Sequence, residues 1–119
     1  MREIIFRGKD KFDGEWYVGS LSHDTKYGNC FIEVSVHQGI AKEVIPETVG
    51  QYTGLTDKNG VKVFEGDIVR IFDGEYFSGV IKYSNEQGSF TVDDTSLHYW
   101  ISDIEVIGNI HDNSELLNE

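Results

Sequence analysis

The stretch that decides the fold is VIPETVGQYTGLTDKNGVKVFEGDIV, residues Val44 to Val69. At its centre Asn59-Gly60 separates two segments with strand character. Asn-Gly is a strong short-range hairpin signal, because a type I′ turn needs positive φ at both central residues. A hairpin of that type is therefore expected at Asn59-Gly60. Pro46 cannot donate a ladder hydrogen bond and marks a strand start, so Glu47–Tyr52 is expected as one arm and Val61–Phe64 as the return. Gly66 then bends the chain into Asp67–Phe72. There Ile68, Arg70 and Phe72 alternate with Val69 and Ile71, the period of a strand with one buried face.

The same reading extends outward in both directions. Strands are expected at Glu3–Lys9 and Glu15–Leu21 around an Asp13-Gly14 turn. A loop follows over residues 22–30, then a strand over Cys30–Val36, with Ile32, Val34 and Val36 on one face, broken at Gln38-Gly39. Downstream, Asp73-Gly74 opens a hairpin into Tyr76–Tyr83, Asn85–Gly88 turns, and Ser89–Val92 is a short strand. Asp93-Asp94-Thr95 is a loop, Ser96–Ser102 holds a single helical turn, and Ile104–Ile110 is the closing strand. Asn113 or Ser114 caps a short terminal turn. Many short strands separated by Gly, Asn and Asp turns indicate an all-β barrel or sandwich. The fold class expected is mainly β: a small SH3-like barrel over residues 61–112, an added N-terminal β layer over about 1–60, and a tail at 113–119, all in one 119-residue domain.

Composition supports this and excludes several classes of function. The chain is 39% hydrophobic and 13% aromatic, with 13 glycines and one proline, which suits strands and tight turns. Its one cysteine, Cys30, has no intramolecular partner and is read as a small buried hydrophobe. No apolar run approaches the roughly 20 residues of a membrane helix, and no signal peptide opens the sequence. Residence in the cytoplasm is the expectation. The net charge is −11, distributed as 7 basic and 9 acidic residues over 1–60 (net −2) and 3 basic and 12 acidic over 61–119 (net −9). An acidic C-terminal half repels phosphate backbones, so nucleic acid is not the expected partner. Solubility is the plain reading of the charge, and imitation of nucleic acid is the sharper one.

No catalytic pattern stands out. Glu65 and Asp67 could share a strand face as an acid/base or metal pair, but a bend at Gly66 with Asp67 tying a backbone amide explains the same residues. His23, His37, His98 and His111 lack the spacing of a zinc site. Neither a Gly-x-Ser-x-Gly elbow nor a glycine-rich phosphate loop is present, and Asp93-Asp94 reads as a turn. Catalytic, metal and cofactor-binding residues are therefore expected to be none. The aromatics point elsewhere. Adjacent pairs in an extended chain send one ring to each side, so Trp16, Tyr76, Phe77, Tyr99 and Trp100 are the candidate residues for a protein–protein or self-association patch.

Several strings together resemble one family. REIIFRGK (2–9), GEW (14–16), IPETVGQYTGL (45–55), DKNG (57–60), FEGDIV (64–69) and EVIGNIHDN (105–113) occur in the order found in the YopX proteins of phages and prophages. The resemblance covers nearly the whole chain. It implies a β-rich protein of phage or prophage origin, and it supplies no catalytic residues. The function expected is non-enzymatic, acting through an unidentified protein partner or through self-association. The alternative is a nucleic-acid-associated β-barrel protein or an acidic nucleic-acid mimic.

Overall fold

The computed structural model describes residues 3–35 and 40–118. The chain is mainly β, with two antiparallel sheets, and divides into two compact units, Met1–Tyr52 and Thr53–Glu119. The sequence reading had placed its change of layer near residue 60.

The first unit is built from β1 (Phe6–Lys9), β2 (Trp16–His23), β3 (Cys30–Ser35), β4 (Ile40–Val44) and the start of β5 (Gly50–Thr56). Their order is β4-β3-β2-β1-β5. The β1–β2 turn is organised by Asp10, which is buried. Its carboxylate accepts the amides of Phe12 and Asp13, both at 2.8 Å. An isolated bridge pairs Asp10 with Val44, and flanking bonds run from Lys11 N to Glu43 O and from Ile45 N to Lys9 O, both 2.9 Å. The close approach explains Gly8, where a Cβ would stand 2.8 Å from the Val44 side chain.

This unit departs from the sequence reading, or adds to it, at four places. Pro46–Thr48 is a 3-10 turn, and the strand begins only at Gly50. Proline suits the first position of a helical turn because its missing N–H would have no partner there. The Thr48 hydroxyl then donates to Ile45 O at 2.6 Å and accepts Lys9 N at 2.9 Å. Ile40–Val44 is a strand although its Ala, Lys and Glu are poor strand formers, while the expected break at Gln38-Gly39 lies outside the described residues. Val34 does not share the buried face with Ile32. The β3–β4 register shifts between Glu33 and Ser35, so Val34 is the extra residue of a bulge and is exposed. The residue 22–30 loop is shorter than expected, because β2 runs on to His23.

The second unit contains the rest of β5, β6 (Lys62–Phe64), β7 (Asp67–Phe72), β8 (Tyr76–Ser84), β9 (Ser89–Val92) and β10 (Thr95–Ser96). The one-turn helix α1 (Leu97–Trp100), a 3-10 turn at Ile101–Asp103, β11 (Ile104–Asn109) and a 3-10 turn at Ser114–Asn118 complete it. One sheet has the order β10-β9-β8-β7-β11. Its core is Val63, Val69, Ile71, Ile81, Val92, Leu97 and Ile104, and full burial of each such side chain stabilises by roughly 1.5–3 kcal/mol. The bend at Gly66 is as expected. Gly66 has φ +91°, and the fully buried Asp67 accepts Phe64 N at 2.7 Å.

The Asn59-Gly60 turn differs from expectation. Gly60 has φ +83° but Asn59 is not left-handed, so the turn is not type I′. Asp57 is the reason. Its Oδ1 accepts Asn59 N at 2.8 Å and Val61 N at 2.9 Å, so a side chain closes the turn around the left-handed Gly60. Its Oδ2 accepts Val106 N on β11 at 2.9 Å, and Lys58 N donates to Ile104 O at 3.2 Å. The type I′ geometry occurs instead at Asp93 and Asp94, with φ of 51° and 61°, in a two-residue loop flanked by the paired Val92 and Thr95. At the C-terminal end, Asn113 does not cap forward with its side chain; its Oδ1 accepts Asn109 N at 3.2 Å.

Asp57 is 5% exposed. Burial alone pushes its carboxyl up, but the amides of Val106, Val61 and Asn59, with Lys58 nearby, outweigh this and hold it below the ordinary 3.8. A depressed carboxyl adds stability that is complete above its unfolded pKa and lost as pH falls through the folded one. Asp57→Asn turns an N–H2 toward one of the donors and should cost roughly 1–3 kcal/mol at pH 7. In urea unfolding the gap between wild type and Asp57→Asn should narrow as pH falls below about 4. An equal gap at pH 7 and pH 3 would contradict this assignment.

Candidate functional site

The β7–β8 hairpin sorts its side chains by alternation. Ile71 pairs with Phe77 and Phe72 with Tyr76. The first pair enters the core, so the second faces out. The rings of Phe72 and Tyr76 lie 5.0 Å apart at 52°, and they are 49% and 64% exposed. Arg70, on the same outward face, sets its guanidinium 5.6 Å from the Tyr76 ring centre. Its other contact is with Glu105, at 3.4 Å from Oε1, directly across on β11. Lys58 approaches the second oxygen of Glu105 at 4.0 Å. The tip is Asp73-Gly74-Glu75, closed by Asp73 N donating to Glu75 O at 2.9 Å, with both acidic residues exposed.

The five residues singled out from the sequence are divided between the units: Trp16 lies in the first, and Tyr76, Phe77, Tyr99 and Trp100 lie in the second. Tyr76 is on the outward face just described. Phe77 and Trp100 pack against the core, edge to face at 5.8 Å. Tyr99 is 72% exposed, and its ring meets Trp100 at 4.8 Å, again edge to face. Trp16 belongs to the first unit, half-buried, with the Arg7 guanidinium 5.0 Å above its ring. Splitting an adjacent pair between inside and outside holds on the extended β8 for Tyr76/Phe77; Tyr99 and Trp100 stand on α1, where the strand rule does not apply. Phe72 was not among the candidates, although its alternation with Arg70 already placed it on the outward face.

The carboxylates at Glu65 and Asp67 and those of the first turn belong to local structure. Asp67 is buried inside its turn and Glu65 lies in the bend before β7, so the two do not present a carboxylate pair on a strand face. In the first unit a groove of about 440 Å³ is lined by Asp10, Phe12, Asp13, Phe31, Lys42 and Glu43, among others. Its carboxylates serve the turn: Asp13 accepts Glu15 N and the Tyr17 hydroxyl, both at 2.8 Å. These bonds, Glu15's foremost, hold the Asp13 carboxyl below its ordinary value, and the same contact raises Tyr17. Lys42 lies over the Tyr17 ring at 5.0 Å. Among the described residues no three His, Cys, Asp or Glu side chains gather as metal ligands, and no helix is long and apolar enough to cross a membrane. His23, His98 and His111 are exposed; His37 lies outside the described residues.

Comparison with known proteins gives two findings. The family model for the YopX protein matches residues 5–118. A crystal structure of protein EF1440 from Enterococcus faecalis superposes with a TM-score of 0.62 at 27% sequence identity, covering 98% of this chain and 99% of that one. A search of curated proteins returns no match.

The outward rings are not structural supports. Phe72→Ala and Tyr76→Ala should each cost less than about 1 kcal/mol, the scale of one cross-strand pair. Ile71→Ala, one residue away and fully buried, should cost roughly 2–5 kcal/mol. Chemical denaturation of the three variants measures the contrast; equal losses would mean that the rings are part of the packed interior.

Proposed function

The chain belongs to the YopX family, and we propose that it is a non-enzymatic protein that works through protein–protein contacts made by the outward face of the β7–β8 hairpin. The observation that carries this reading is the pair of touching, half-exposed rings, Phe72 and Tyr76, on a regular strand pair. Aromatic residues are enriched at protein interfaces because they bury a large area with little loss of side-chain freedom. A strand pair holds such rings in a fixed geometry before a partner arrives, which lowers the ordering cost of association.

We read the second unit as a small SH3-like barrel framing this face, a reading supported by its strand order. β7, β8, β9 and β10 follow one another as a meander, a helical turn intervenes, and β11 returns beside β7. The resemblance to phage and prophage proteins supports an origin in such an element and action in the cytoplasm of the bacterial host. The charge of the second unit, 4 basic and 13 acidic residues over 53–119, weighs against phosphate backbones as the ligand.

Affinity capture from bacterial lysate, run in parallel with wild type and the Phe72→Ala/Tyr76→Ala double variant, tests the reading. Wild type should retain a defined protein, or form a dimer by light scattering, and the double variant should lose it. Identical captured proteins for both, with both monomeric, would overturn it.

A further inference from the structure

We propose that the outward face of the β7–β8 hairpin receives an arginine-bearing segment of a cationic protein. This rests on the contact reading above and adds the chemistry of the partner. Three observations converge on it. The second unit carries a net charge of −9 over residues 53–119, so its field draws cations and repels both phosphate and a second copy of this −11 chain. At the hairpin tip Asp73 and Glu75 flank the two rings, are exposed, and have no ion-pair partner among the described residues. The face also already displays the contact that it would offer. Arg70 lies 5.6 Å over Tyr76 and reaches a carboxylate, Glu105, at 3.4 Å.

Arg70 leaves much of the site open. Tyr76 remains 64% exposed and Phe72 49%, and the Arg70 charge is already matched by Glu105. An incoming guanidinium can stack on the free ring surface while its N–H groups meet Asp73 or Glu75. Arginine suits this better than lysine, because its planar fork stacks on aromatic faces and binds carboxylates with two parallel bonds. A second copy of this chain suits it poorly. Face-to-face pairing would bring four tip carboxylates together, and like charges placed opposite each other oppose association.

The test is fluorescence anisotropy with labelled synthetic nonapeptides of alternating Arg and Gly, Lys and Gly, or Glu and Gly. Wild type should bind the Arg peptide more tightly than the Lys peptide and should not bind the Glu peptide. Tyr76→Ala and the Asp73→Asn/Glu75→Gln variant should each weaken the Arg peptide by roughly fivefold, the scale of losing one cation–π contact or its flanking charges. Asp93→Asn/Asp94→Asn removes the same charge from the β9–β10 loop instead of from the hairpin tip and should change binding by less than about twofold, the response expected when exposed, solvent-screened charges outside the contact are removed. Equal weakening by the two charge variants would mean diffuse attraction and would overturn the inference, as would a dimer that Tyr76→Ala abolishes. If lysate capture depends on Phe72 and Tyr76 but Arg-peptide binding ignores Tyr76→Ala, the cationic partner is wrong and the contact reading survives. If both experiments ignore these residues, both readings fall.

Discussion

The second unit depends on one buried carboxylate. Asp57 closes its own turn with Oδ1 and grips the Val106 amide with Oδ2. A strand at the end of a sheet leaves a row of unpaired N–H and C=O groups, which invites pairing with other chains. On β11 two of those groups are taken by the Asp57-Lys58 turn, Val106 N by the side chain and Ile104 O by Lys58 N. A side chain thus does at this edge what a further strand would do elsewhere. Its cost is desolvation of the carboxylate, and three amide donors offset it, which is why the group stays ionised rather than neutralising.

With that edge occupied, the β7–β8–β11 surface is sorted by the period of two. Val69 and Ile71 on β7, with Ile81 on β8, fill the core; Arg70 and Phe72 are left outside, opposite Ser78 and Tyr76. No rule of folding requires the outward pair to be aromatic, because solvated strand faces are ordinarily polar. The rings, the matched Arg70–Glu105 pair beside them and the two tip carboxylates, without an ion-pair partner among the described residues, therefore form a cluster that core packing and turn formation leave unexplained. The proposed contact surface is assigned there for that reason.

Most of the strand pattern was legible because it is local. The alternation in Asp67–Phe72, the Gly66 bend, the turn at Gly74 and the helical turn near Trp100 each follow from a few neighbouring residues. What escaped depends on partners far away in sequence. Asn59-Gly60 looks like a type I′ turn until the Asp57 carboxylate is known to close it through Asn59 N and Val61 N while its second oxygen binds Val106, 49 residues on; the geometry expected there appears at Asp93-Asp94, a pair that sequence alone places only in a loop. Ile40–Val44 has little strand propensity and owes its state to pairing with β3. The candidate rings were legible in part. Adjacent aromatics divide between inside and outside, but which of them meet across strands is a matter of register. Register joined Tyr76 to Phe72.

Asp57 is a structural clamp on β11 and not a surface turn residue. Native-state hydrogen exchange of the Val106 amide distinguishes the two roles. A clamped Val106 amide exchanges only with global unfolding, as slowly as the core amides of Ile71 and Ile81. Exchange of Val106 as fast as the exposed tip amides of Gly74 and Glu75 would contradict it.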